Sequence, residues 1–141
     1  PVAAMIETPL GVLRAEAIAE EAAALIAGTN DLRAALRLPA VAGREAISAS
    51  LQMIVLAARA AGVPAFDGVF NGLEDAEGFA VEAREGRMLG FDGKTLIHPN
   101  QVEACHAAWA PTEAELARAE RLVAAASGGA ERFEGEMIER M

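Results

Sequence analysis

Glu7 and Asp31 are the two acids whose placement in this sequence suggests shared chemistry. An apolar strand ends in Met5-Ile6-Glu7-Thr8-Pro9, and a second ends in Gly28-Thr29-Asn30-Asp31. Leu10 to Ala22 between them is rich in Ala, Glu and Leu and carries no internal Pro or turn cluster, so it reads as the crossover helix of a βαβ unit. A crossover makes the two strands parallel. As neighbours about 5 Å apart, they would deliver both carboxylates to one carboxyl edge, where α/β folds place ligands. Such a pair suits a divalent cation, since Mg²⁺ favours one or two carboxylates with water and substrate oxygens completing its shell. The competing reading is that Glu7 and Asp31 are ordinary acids at a strand end and a helix start. Gly28 likewise reads either as a point of close backbone approach to a ligand or as a tight turn.

Other residues have weaker claims. His98 ends a strand, and the imidazole side chain suits proton transfer as a residue type, which makes it an acid–base candidate or a hydrogen-bonded structural histidine. His106 lies eight positions on, outside the helical spacing of a ligand pair, so a histidine zinc site is not expected. Asp67 either points into a pocket or caps the following turn. Cys105 is the single cysteine and reads as a small apolar helix residue, with no disulfide partner in the chain.

The elements that must hold these residues recur in a fixed order. After Asp31, Leu32 to Leu38 is a short helical turn or loop, Pro39 to Gly43 a loop, and Arg44 to Ala61 a long helix. Ile47, Leu51, Ile54, Val55 and Ala58 form its buried stripe and Gly62 its stop. Pro64 to Phe70 is the third strand and Lys94 to Ile97 the fourth, with a helix from Glu74 to Leu89 between them. Gln101 to Ala108 is helical. A last helix opens at Pro111 and Thr112, with Thr112 and Glu115 spaced as a capping box, and ends at Gly128-Gly129. Strands alternating with helices imply a parallel α/β sheet. With 53% hydrophobic and 23% charged residues, the 141-residue chain has the composition of a soluble globular domain. A net charge of −9 argues against nucleic-acid or anionic-membrane partners, which call for clustered Lys and Arg. No run of eighteen apolar residues and no basic leader is found, so the expected location is a reducing cytoplasm.

Three stretches together carry a resemblance: Met5-Ile6-Glu7-Thr8-Pro9-Leu10-Gly11-Val12-Leu13, Gly28 to Leu32, and Gly90-Phe91-Asp92-Gly93-Lys94-Thr95-Leu96-Ile97-His98-Pro99-Asn100-Gln101. In order and spacing the chain resembles the citrate lyase beta subunit and malyl-CoA lyase family. The resemblance implies a TIM (β/α)8 barrel, of which this chain would be the C-terminal half, about strands 5 to 8, because a whole barrel takes about 250 residues. A small doubly wound sheet is the alternative architecture. The barrel half would occupy residues 1–127 and the start of a C-terminal lid 128–141. It would need the missing N-terminal half-barrel, and a homo-oligomer is expected.

The resemblance further implies a Mg²⁺ enzyme (Mn²⁺ serving as well) that acts on an acyl-CoA or 2-oxo acid through an enolate, as a carbon–carbon lyase or a thioesterase. Glu7 and Asp31 fall on the metal positions, and the backbone N–H groups of Asn30 and Asp31 on the substrate-carboxylate position. Where lyase members often read Gly-Ala-Glu-Asp, this chain reads Gly-Thr-Asn-Asp, as related phosphoenolpyruvate- and pyruvate-handling barrels do, which is the alternative activity. A fragment inactive without its other half is the third reading. His98 lies within the signature stretch and is expected to be structural. Arg14, Arg33, Arg37 and Arg44 match no family arginine and are expected to be solvated. Glu134-Gly135-Glu136-Met137-Ile138-Glu139 resembles the family's lid element, Gly-x-Met-Ile/Val-Asp, whose acid reaches a neighbouring subunit's active site. Glu139 takes that acid's place as the expected catalytic residue.

Overall fold

A computed structural model of the chain describes residues 1–125 and 131–138. The chain divides into two compact units, Pro1–Trp109 and Ala110–Met141.

In the first unit, four strands lie side by side in chain order and all run parallel: β1 (Ala3–Ile6), β2 (Ala24–Ala27), β3 (Ala65–Asp67) and β4 (Gly93–Lys94). Register pairs Met5 with Ile26, Ile26 with Phe66, and Phe66 with Gly93. Registered residues share a face, and that face is poorly covered: Met5 is 54% exposed, and Ile26 and Phe66 are half-buried. The other face carries Leu25 and Ala65, both fully buried under the helices. Strand order 1-2-3-4 with helices packed on one face is the arrangement of a barrel wall; a doubly wound sheet reverses its order and is covered on both sides.

Local sequence accounts for most element ends. Thr8 Oγ1 accepts from Gly11 N at 3.0 Å and starts α1 (Pro9–Leu13), with Pro9 at a first-turn position where its missing N–H costs nothing. The expected single crossover helix breaks at Arg14 (φ −118°, ψ 18°), and α2 (Ala15–Glu21) follows. The segment after β2 is more regular than the expected turn or loop, because α3 (Thr29–Ala35) begins directly after Gly28. A 3₁₀ turn (Arg44–Ile47) leads into α4 (Ser48–Ala61), whose Leu51, Ile54, Val55 and Ala58 are buried as the spacing predicts. Burying each of the large side chains is worth about 1.5–3 kcal/mol. Gly62 (φ 70°) ends α4 and Gly90 (φ 97°) ends α5 (Ala76–Leu89), both left-handed. Asp75 caps α5 by accepting from Gly78 N at 2.8 Å. Strands β3 and β4 are shorter than their apolar runs. A 3₁₀ turn (Pro99–Gln101) then opens α6 (Val102–Trp109).

The second unit contains α7 (Glu113–Ala125) and an antiparallel hairpin, β5 (Glu131–Phe133) with β6 (Glu136–Ile138). The expected capping box is present: Glu115 N donates to Thr112 Oγ1 at 3.2 Å and Thr112 N to Glu115 Oε2 at 2.7 Å. Arg121 reaches Glu134 at the hairpin turn, 2.9 Å away. Gly128-Gly129 and Glu139 lie outside the described residues. Among the described residues, no helix is long and apolar enough to cross a membrane.

Candidate metal and substrate site

Glu7 follows β1 by one residue and alternates with Ile6, so it belongs to the poorly covered face with Met5. Register carries it opposite Gly28, whose N donates to Ile6 O at 2.9 Å. The side chain of Glu7 lies across that glycine. A Cβ at position 28 would stand 2.4 Å from Glu7 Cβ, 3.0 Å from Met5 Cγ and 3.1 Å from Glu7 Oε2. Close approach therefore requires Gly28, and the turn alone does not explain it. Asp31 is exposed in the first turn of α3, three residues beyond Gly28. Helix geometry leaves the N–H groups of this turn without intrahelical partners.

The next strand end is built in the same way. A Cβ at Gly68, just after β3, would lie 2.5 Å from both Cγ2 and Oγ1 of Thr29, which is itself buried. Above that contact, the Asn30 and Asn71 side chains exchange hydrogen bonds: Asn71 Nδ2 donates to Asn30 Oδ1 at 2.7 Å, and Asn30 Nδ2 to Asn71 Oδ1 at 3.2 Å. The β4 side secures the same loop. Gln101 Nε2 donates to Phe70 O at 3.0 Å, and Asn100 Nδ2 to Leu73 O at 2.9 Å. His98 is exposed, and its Nδ1 accepts from Asn100 N at 3.2 Å, capping the 3₁₀ turn that follows. A cleft of about 300 Å³ opens between the loops after β2 and β3, lined by Thr29, Asn30, Arg33, Arg44, Phe70 and Asn71 among others. Glu7 and Asp31 are not part of its described lining.

Two arginines expected to be solvated are not. Arg33 donates to the carbonyls of Gly43, at 3.1 Å, and Ala42. Arg44 enters an ion network under α5 with Asp67 (2.8 Å), Glu82 (3.5 Å) and Glu85 (3.1 Å). Asp67 neither points into the cleft nor caps a turn. It lies fully buried on the helix face, where Lys94 Nζ meets it at 3.0 Å and also donates to Glu82 at 2.7 Å and Gly68 O at 2.6 Å. Gly86 near the C-terminal end of α5 admits this cluster, since a Cβ there would lie 2.6 Å from Asp67 Oδ2. Burial pushes the Cys105 thiol up, outweighing the pull of nearby Lys94, so it is not an activated nucleophile. The sequence offered one sign of the network: a Lys within a strand whose side chain must go to one face or the other.

Among the described residues, no three His, Cys, Asp or Glu side chains converge as a ready-made metal cage. Glu7 and Asp31 are hard oxygen donors on adjoining strand ends, and two carboxylates with open positions fit Mg²⁺, which retains water and substrate ligands.

The family profile described as HpcH/HpaI aldolase/citrate lyase matches residues 1–99. The chain is 44% identical over 127 residues to a (3S)-malyl-CoA thioesterase of Cereibacter sphaeroides, covering 89% of this chain and 45% of that protein. It is 41% identical over 131 residues to the citrate lyase subunit beta of Escherichia coli K12, covering 90% of this chain and 43% of the relative. Among solved structures, CitE from Mycobacterium tuberculosis in complex with magnesium, acetoacetate and coenzyme A superposes with a TM-score of 0.86 at 34% identity. That match covers 99% of this chain and 55% of the CitE chain. The chain spans about half the length of the curated relatives it matches.

Proposed function

Because the chain belongs to the HpcH/HpaI aldolase/citrate lyase family, we propose that it supplies the metal-binding edge of a Mg²⁺-dependent enzyme acting on an acyl-CoA or 2-oxo acid substrate, as a carbon–carbon lyase or thioesterase. The observation that carries this is the Glu7 side chain laid across Gly28 at the carboxyl edge, one strand over from Asp31. Support for the cation and substrate class comes from the magnesium, acetoacetate and coenzyme A of the similar CitE structure and from the thioester substrate in the relative's name.

Glu7 and Asp31 would hold Mg²⁺, or Mn²⁺ in its place. The bound ion would lower the energy of negative charge developing on a substrate carbonyl oxygen as a carbon–carbon bond breaks or forms. The free N–H groups of Asn30 and Asp31 would receive a substrate carboxylate, a role open to backbone donors without a cationic side chain. Glu139, brought from a neighbouring subunit, would act as the general base or hold water. Residues 1–127 would form the C-terminal half of a (β/α)8 barrel and 128–141 the start of a lid, within a homo-oligomer. The poorly covered row of Met5, Ile26 and Phe66 supports the half-barrel, because a closed barrel would fill that face with side chains from the other half.

Titration calorimetry with Mg²⁺ on the complete protein tests the metal assignment. Glu7→Gln and Asp31→Asn should each abolish binding with the fold intact, and undiminished binding in both would overturn it. The Thr29-Asn30-Asp31 wording favours a second reading, a phosphoenolpyruvate- or pyruvate-handling barrel. Measurable acyl-CoA affinity in the complete protein would decide against that reading, and a chain that neither binds metal nor turns over beside its other half would favour the inactive fragment.

A further inference from the structure

The α3 helix, which carries Asp31, starts without a side-chain cap, as α2 and α4 also do, whereas α1 and α5 are capped by Thr8 and Asp75. The reason is steric. Its cap position is Gly28, and any capping side chain there would occupy the space of Glu7. Admitting one carboxylate thus removes the ordinary restraint on the turn that presents the other. An uncapped first turn frays, since its N–H groups have no partners within the helix.

We propose that Asn71 is a positioning residue that restrains this uncapped turn from outside the helix while leaving its N–H groups open. Its reciprocal amide bonds to Asn30 tie the first turn of α3 to the loop after β3. That loop is itself fixed on three sides: at its base by the Gly68 contact with Thr29, at Phe70 O by Gln101, and at Leu73 O by Asn100. Asn30 and Asp31 are consecutive, so holding the Asn30 amide sets the backbone orientation from which the Asp31 carboxylate and the two adjoining N–H groups are presented. Asparagine suits both ends of the tie, because one amide supplies a donor and an acceptor together.

This inference rests on the metal assignment above, and the test separates the two. Mg²⁺ affinity of the complete protein is measured by titration calorimetry for Asn30→Ala, Asn71→Ala and the double variant, with Asp31→Asn as the reference for loss of the site. Thermal melts run alongside. Both positions are exposed, so the fold should tolerate truncation. Each single variant should weaken Mg²⁺ binding about two- to tenfold, the range set by one or two net hydrogen bonds. The double variant should be no weaker than the poorer single, because both substitutions cut the same tie. Unchanged affinity in Asn71→Ala, additive losses in the double variant, or a lower melting temperature with unchanged affinity each overturns the proposal while leaving the metal site standing. Full Mg²⁺ binding in Asp31→Asn overturns both.

Discussion

Lys94→Met is the substitution with the most calculable consequence. Lys94 is fully buried, and its ammonium spends its three N–H donors on Asp67 at 3.0 Å, Glu82 at 2.7 Å and Gly68 O at 2.6 Å. Methionine keeps the unbranched stem and removes the charge. Glu82 can turn to water, being 20% exposed, and Asp67 retains Arg44 at 2.8 Å and the Gly68 N–H at 2.8 Å. One oxygen of a fully buried carboxylate and one carbonyl then lose their partner. Breaking a buried pair from one side costs about 3–5 kcal/mol, and the surviving Arg44 contact places this case near 3. Urea melts of the complete protein provide the direct assay, with Asp67→Asn and the double variant completing a cycle. The double variant should be more stable than Lys94→Met alone, because the stranded carboxylate is gone. A Lys94→Met protein within about 0.5 kcal/mol of the parent would refute the reasoning, as would a double variant that loses the sum of the two single effects.

Gly28→Ala should weaken Mg²⁺ binding about tenfold or more, since a Cβ 2.4 Å from that of Glu7 forces the carboxylate or the strand to move; parent-like calorimetric affinity would contradict the close-approach argument. Asp92 gives an acid-side expectation. Burial pushes its carboxyl up, but the Arg59 guanidinium at 2.9 Å and the Ala65 N–H outweigh that and hold it below the ordinary range. A depressed folded value contributes stability above the unfolded value near ~4 that fades as pH falls through the folded one, so Asp92→Asn should flatten the pH dependence of urea midpoints there and leave it unaltered above about pH 6. An identical pH profile in the variant would rule the pair out as an acid-labile contact. Glu139→Gln should lower kcat by about 10² to 10⁴ with little change in metal affinity. Mixing it with Glu7→Gln protein should restore activity if the acid crosses between subunits, and failure to do so despite subunit exchange would place its action within one subunit.

What the sequence determined by itself is local. The α4 stripe of Leu51, Ile54, Val55 and Ala58, the left-handed stops at Gly62 and Gly90, and the Thr112–Glu115 box follow from periodicity and from groups a few residues apart. The parallel order of strands follows from the crossover helices, and the Glu7 and Asp31 candidates from their places at strand ends. Tertiary structure decided which face each strand side chain joins, and so what it meets. Asp67 and Lys94 sit 27 positions apart in the chain and pair only because register puts them side by side under α5, while Arg44 arrives from a separate 3₁₀ turn. Strand lengths also escaped the apolar runs, since a strand ends where its neighbour stops offering hydrogen-bond partners, which no single segment specifies. The tie between Asn30 and Asn71 is of the same kind: a side chain records its own donors and acceptors, but its partner is set by how the intervening chain packs.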